Sequence, residues 1–218
     1  MLVKERMSSP VITVAPDTPI MNALDLMQSK GIRRAPVMRD GKLVGIVSDK
    51  DLLNAAPSDA TSLSVWELNY LLSRLRVKEI MSTEVITVNE NTPIEEAAYL
   101  MAANKIGGLP VLADGQLVGL ITETDLFRIF LELMGAQQAG VRVTALVPDK
   151  LGELDILTHA IAEAGGEFVA FGQFAGDTAD NRTLTFKVRG LTQEEVGEKI
   201  EPHIDKLIDI RTFEPDDN

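Results

Sequence analysis

The sequence contains no cysteine, which removes disulfides, thiolate metal sites and cysteine nucleophiles together. Its two histidines, His159 and His203, stand far apart in segments that read as helices. Neither belongs to a His-Glu-x-x-His spacing, so no metal ligand set is indicated. No apolar window approaches the roughly 18 residues of a membrane span, and MLVKERMSSP has neither a long apolar run nor a small-residue cleavage site. The expectation is a soluble, cytoplasmic protein that engages no membrane. Basic residues are the minority, 21 against 33 acidic, for a net charge of −12. That balance disfavours duplex nucleic acid, whose phosphates need a basic face, but a local basic pocket can still hold one small anion. There is no Gly-x-Ser-x-Gly elbow and no Gly-x-x-x-x-Gly-Lys-Ser/Thr loop. The acidic pairs Glu95-Glu96 and Glu194-Glu195 fall in helix first turns, where the macrodipole favours them without any catalytic role. The expectation is therefore a protein that is not an enzyme and has no cofactor or metal.

What the chain does have is an internal repeat. MSSPVITVAPDTPI from Met7 recurs as MSTEVITVNENTPI from Met81, an offset of 74 residues. Without a gap, Pro36 maps to Pro110, Gly41 to Gly115, Gly45 to Gly119 and Asp51 to Asp125. The match begins as early as Val3-Lys-Glu and Val77-Lys-Glu. Each copy opens with VITV, a β-branched strand candidate, followed by a helix with Thr18 or Thr92 as N-cap candidate and Pro19 or Pro93 at its first helical position. Ile20, Ala23, Leu24 and Met27 form one apolar stripe at helical spacing, with Gly31 as its stop; Ile94, Ala97, Ala98 and Met101 form the other. APVM-RDG-KLVGIV and LPVL-ADG-QLVGLI then read as hairpins around Asp-Gly turns. A second helix opens after Ser48 or Thr122. The unit is β-α-β-β-α, and two such units cover one another's sheet faces best around a pseudo-twofold axis.

The ordered pattern of Met-x-x-x-Val-Ile-Thr-Val, Pro-Val, Asp-Gly-x-Leu-Val-Gly and Ser/Thr-x-x-Asp-Leu resembles the cystathionine-β-synthase-type (CBS) domain, and its doubling over about residues 3–130 resembles a CBS pair. That resemblance implies an adenine-nucleotide ligand (AMP, ADP, ATP or S-adenosylmethionine) and a homodimer. It implies ribose and phosphate roles for Ser48, Asp51, Thr122 and Asp125: the carboxylate accepts from ribose hydroxyls, while the hydroxyl and helix N–H groups face phosphate. The adenine is expected between the VITV strand (Ile12, Ile86) and the Pro-Val strand (Ala35, Pro36, Leu109, Pro110). The same Ser/Thr-x-x-Asp spacing also fits a capping box. The copies differ where Ile32-Arg33-Arg34 stands opposite Ile106-Gly107-Gly108. Arg33 or Arg34 is a candidate phosphate partner, and Gly108 leaves room for backbone to approach a ligand; two solvated arginines on a strand edge are the alternative.

Between the copies, SLSVWELNYLLSRL places Val65, Leu68, Leu72 and Leu75 at helical spacing, with Trp66 and Tyr70 on a second stripe. With the flanking VKEIM it resembles acetoin-utilisation B-type CBS proteins. After GAQQAG, the order strand (VRVTALV), helix, two strands (EFVAFGQFA, RTLTFKVRG), helix from Thr192 and strand (LIDIRTF) is the ferredoxin-like split βαβ arrangement. With Asp149-Lys-Leu151-Gly152-Glu153 at its first turn, this module resembles an ACT domain. The resemblance implies an amino acid bound between paired copies near Asp149, Leu151, Gly152 and Glu153; a tight turn alone also accounts for Gly152.

The expected fold is mixed α+β (α/β): CBS unit 1 with its linker helix at 1–76, CBS unit 2 at 77–134 and an ACT-like domain at 141–218. The expected function is a non-catalytic regulator that binds an adenine nucleotide. The alternative is a ligand-free scaffold in acetoin or central carbon metabolism.

Overall fold

Each Asp-Gly dipeptide folds as its chemistry demands. In a computed structural model, which describes residues 1–55 and 74–215, Asp40-Gly41 and Asp114-Gly115 have the same pair of positive φ angles, 49° and 76°. Two central residues at φ > 0 match the twist of an antiparallel hairpin. The hairpins are β1 (Arg34–Arg39) with β2 (Lys42–Ser48), and β4 (Gly108–Ala113) with β5 (Gln116–Thr122). Each carries its register shift at the equivalent place, Val37/Met38 and Val111/Leu112.

The chain divides into two compact units, Met1–Leu126 and Phe127–Asn218. In the first, helices α1 (Ile20–Lys30) and α3 (Ile94–Asn104) precede the hairpins. The short α2 (Asp49–Asn54) follows the first hairpin, and α4 (Glu123–Leu133), which runs through the division, follows the second. Apolar stripes bury as their spacing requires: Ile20, Ala23, Leu24 and Met27 from α1, and Ala97 and Met101 from α3.

The two copies exchange their leading segments. Val3 N donates to Thr92 O and Lys4 N to Glu90 O, while Val77 N donates to Thr18 O and Lys78 N to Pro16 O. Ser8 bridges Leu120 as Ser82 bridges Ile46. Every contact has its counterpart 74 residues away, so the hydrogen bonds themselves carry twofold pseudosymmetry. Val3 is fully buried in the second copy's core and Val77 in the first's; each such valine contributes roughly 1.5–3 kcal/mol of burial.

Two local expectations are corrected. Thr18 and Thr92 are not the caps: the helices begin at Ile20 and Ile94, with Pro19 and Pro93 as N-caps in extended conformation and no side-chain cap bond. Their carbonyls accept the first helical bonds, from Ala23 N and Ala97 N. VITV is a strand only at its end. The first copy keeps a single Val14–Val37 bridge and the second the two-residue strand β3 (Val88–Asn89), parallel to β4. The preceding residues of VITV run without ladder partners, which leaves their backbone beside the hairpins free of strand pairing. The expected helix with Trp66 and Tyr70 falls mostly on 56–73, outside the described residues.

The second unit holds β6 (Gly140–Pro148), α5 (Glu153–Glu163), β7 (Glu167–Ala175), β8 (Asn181–Arg189), α6 (Gln193–Ile200) and β9 (Lys206–Phe213). Its sheet order is β7-β8-β6-β9, antiparallel throughout, which is the split βαβ arrangement. Leu157 and Ile161 of α5 and Val196 and Ile200 of α6 pack on Val141, Val143, Leu184 and Phe186. Thr192 caps α6 through a box with Glu195. On the opposite face Lys187 is 3% exposed, donates to Gly135 O (2.7 Å) and Gln138 O (2.9 Å), and lies 3.9 Å from the Phe213 ring centroid. Burial holds its pKa below the ordinary lysine value, with Arg142 adding to the effect.

Candidate functional site

Because the leading segments are exchanged, the hairpin and helix start of one copy face residues from the other. The result is a groove of about 290 Å³ in the first unit, at the lower end of the range for small-molecule sites. Arg34, Ile46, Val47, Ser48 and Asp51 of the first copy line one side; Ser82, Glu84, Val85, Ile86, Lys105, Ile106, Gly107, Gly108 and Pro110 of the second line the other.

At the helix start, Ser48 and Asp51 form a capping box. Ser48 Oγ accepts from Asp51 N, while Asp51 Oδ2 accepts from Ser48 N (2.8 Å) and Ser48 Oγ (2.7 Å). Both bonds to the carboxylate fall on Oδ2, which leaves Oδ1 as the oxygen able to accept from a ligand. The second copy repeats the motif: Asp125 Oδ2 accepts from Thr122 N (2.9 Å) and Thr122 Oγ1 (2.7 Å). The two carboxylates differ in access, Asp125 being 8% exposed and Asp51 half-buried. The local capping reading is thus realised in the first copy, the second shows the carboxylate's half of it, and only Asp51 lines the groove.

Arg34 leaves its strand across the gap between the copies and donates through Nη1 to Gly107 O. A Cβ at Gly107 would collide with this guanidinium and with the Glu123 carboxylate, and a Cβ at Gly108 would lie 2.9 Å from Arg34 Cδ. The Gly107-Gly108 pair is therefore the space that Arg34 occupies. Burial lowers the Arg34 pKa and the Glu123 carboxylate opposes the shift; a guanidinium stays protonated regardless. Lys105 stands at the groove's rim in the left-handed conformation, φ 54°, at the helix end where the first copy has Gly31, φ 62°.

Of the residues singled out in the sequence, the groove brings together Arg34, Ser48, Asp51, Ile86, Gly108 and Pro110. Ala35 and Leu109 are instead fully buried core, and Pro36 is buried with its carbonyl accepting from Val14 N. Arg33 points elsewhere, its Nη2 donating to Thr124 Oγ1 at 2.7 Å. Ile12, Thr122 and Asp125 lie outside the groove's lining. Sequence reasoning missed Ser82, Glu84 and Lys105. The unmatched Gly31/Lys105 pair was the available signal for the last. In the second unit, Asp149 Oδ2 pairs with Arg182 at 2.7 Å, Leu151 is fully exposed and Gly152 is the N-cap of α5 at φ 90°. A larger, shallower hollow of about 630 Å³ lies between α5 and α6, beside Glu163, Glu198, Lys199 and His203.

The CBS domain model matches residues 3–58 and 77–132, and the chain belongs to the CBS domain family as a tandem CBS pair. A CBS domain-containing protein of Dictyostelium discoideum is 35% identical over 135 residues, 61% of this chain and 93% of that protein. The inosine-5′-monophosphate dehydrogenase of Thermoplasma acidophilum is 37% identical over 117 residues, 53% of this chain, but the match spans only 21% of that enzyme. Among solved structures, the CBS domain pair of protein MJ0100, in complex with 5′-methylthioadenosine and S-adenosyl-L-methionine, superposes with a TM-score of 0.51 at 30% identity, covering 63% of this chain and 98% of that one. The acetoin utilization protein AcuB from Vibrio cholerae superposes with a TM-score of 0.52 at 33% identity, covering 63% and 95%. No helix among the described residues is long and apolar enough to cross a membrane.

Proposed function

We propose that the chain is a cytoplasmic regulator, catalysing no reaction of its own, whose CBS pair binds an adenosine-containing ligand (AMP, ADP, ATP or S-adenosylmethionine). The observation that carries the reading is the groove itself. It offers a half-buried carboxylate with an available oxygen, Asp51, and a confined guanidinium, Arg34, with apolar Ile86 and Pro110 along its wall. A nucleotide has the matching order of groups: a flat apolar base, vicinal hydroxyls suited to a carboxylate, and an anion suited to a guanidinium. The adenosine ligands held by the related MJ0100 pair support the same ligand class. The signal passes to a homodimer partner or to the ACT-like second unit, where an amino acid binds near Asp149, Leu151, Gly152 and Glu153. Such coupling requires the ligand to favour one arrangement over another.

Isothermal titration of the full chain with AMP, ADP, ATP and S-adenosylmethionine tests this reading. Saturable binding that disappears in Asp51→Ala supports it; the absence of binding to all four ends it. A second reading, a ligand-free scaffold in acetoin or central carbon metabolism, is favoured by the bonds that Asp51 accepts from Ser48 and Asp125 from Thr122, which give both aspartates a structural task without any ligand. It predicts that no nucleotide raises the melting temperature.

A further inference from the structure

Resting on that nucleotide reading, we propose that each chain takes a single anionic nucleotide, in the Asp51 groove, that Arg34 selects its phosphate, and that Arg33 closes the mirror-image groove. Shifting the groove's residues by 74 generates the mirror site, and the replacements are not neutral. Lys105 becomes Gly31, Gly107 becomes Arg33 and Glu84 becomes Pro10, while Asp51 keeps its carboxylate as Asp125. Arg34 and Gly108 are each other's counterparts. Arg34 therefore stands at a position both pseudo-equivalent sites share, and it is committed to one of them: its guanidinium bonds the Gly107 carbonyl in the Asp51 groove, in space that two glycines leave open. The mirror site has glycine at both positions where the Asp51 groove has a cation.

Arg33 gives the mirror site a cation of its own, so the remaining difference between the two sites is one of access. Its Nη2 donates to Thr124 Oγ1, between Thr122 and Asp125 in sequence, which ties it beside the helix start that a mirror-site ribose would have to reach. Asp125 is correspondingly closed off at 8% exposure. Lys105 adds to the polarity of the first groove. A non-glycine residue in the left-handed region costs about 1 kcal/mol relative to glycine, and the copy that lines the groove with this position carries lysine there.

Titration of the full-length chain with AMP and with adenosine separates the parts of this claim. Wild type should bind one AMP per chain, and Asp51→Asn should retain no AMP site of wild-type strength. Arg34→Gln should weaken AMP about ten- to a hundredfold, as expected for a lost charge-assisted contact, while changing adenosine less than about threefold; Arg34→Lys should restore part of the AMP affinity. Circular dichroism confirms that each variant folds, and Arg34→Lys carries the test should Arg34→Gln not fold. Two AMP per chain, a full-strength site surviving in Asp51→Asn, or equal loss of AMP and adenosine in Arg34→Gln would overturn the inference and leave the nucleotide reading standing. No binding of either ligand would overturn both.

Discussion

Replacing Gly45 by alanine tests the exchange of leading segments, on which the groove depends. A Cβ there would lie 2.5 Å from Met81 Sδ, 3.0 Å from Met81 Cγ and 3.0 Å from Ser82 O. The methionine end can swing, but Ser82 cannot: Ile46 N donates to Ser82 O and Ser82 N to Ile46 O, both at 2.9 Å. This pair holds the incoming backbone directly over the glycine. Overpacking costs about 1–3 kcal/mol, and alanine recovers roughly 0.5–1 kcal/mol of glycine's backbone entropy in a strand. The net is a loss of about 0.5–2 kcal/mol, seen as a melting temperature lower by a few degrees for the first unit. Calorimetry gives the size and hydrogen exchange locates it, with faster exchange at the Ile46 and Ser82 amides. Adding Met81→Ala should return only the part due to the methionine. A Gly45→Ala protein as stable as wild type, with unchanged exchange at both amides, would refute the tight apposition of these segments.

Ser48→Ala should cost about 1 kcal/mol in thermal unfolding through the lost cap, and should weaken AMP binding because Asp51 loses the group that orients it. Unfolded, Lys187 titrates near 10.5, and burial lowers its value in the fold. Between the two values the unfolded chain holds more protons, so stability of the second unit should rise with pH through that window. Urea midpoints against pH should show the rise in wild type and its absence in Lys187→Met. Glu195 shifts the other way, its value held below 4.5 by the hydrogen bond from Thr192 N. Its stabilisation is present above pH 4.5 and lost as pH falls through the lowered value; Glu195→Gln should flatten that acid limb.

Much of this was legible because glycine, proline and Asp-Gly pairs constrain the backbone locally. The hairpin turns, the Gly31 stop, the Thr192 cap and the order of elements in the second unit follow from residues adjacent in sequence. The Thr18 and Thr92 caps did not form because the following prolines, held extended, become the caps themselves. Each VITV strand shrank because pairing requires a neighbour, and the β1 and β4 edges offer one only at Val14 and Val88–Asn89. Six of the groove's fourteen lining residues were singled out from the sequence, grouped by copy. A sequence repeat shows that two copies are alike, but not that residues 3–8 and 77–82 cross over. That crossing is what sets Asp51 against Ile86 and Pro110 and brings Lys105 to the rim. Ala35 and Leu109 have the residue types of a base-binding wall and are spent on the core instead.

The most direct test of the central claim is a crystal structure of the full chain grown with AMP. The account predicts one nucleotide per protomer, its ribose hydroxyls within hydrogen-bond distance of the Asp51 carboxylate and its phosphate facing Arg34. An empty Asp51 groove at saturating AMP, or a nucleotide bound anywhere else, would contradict it.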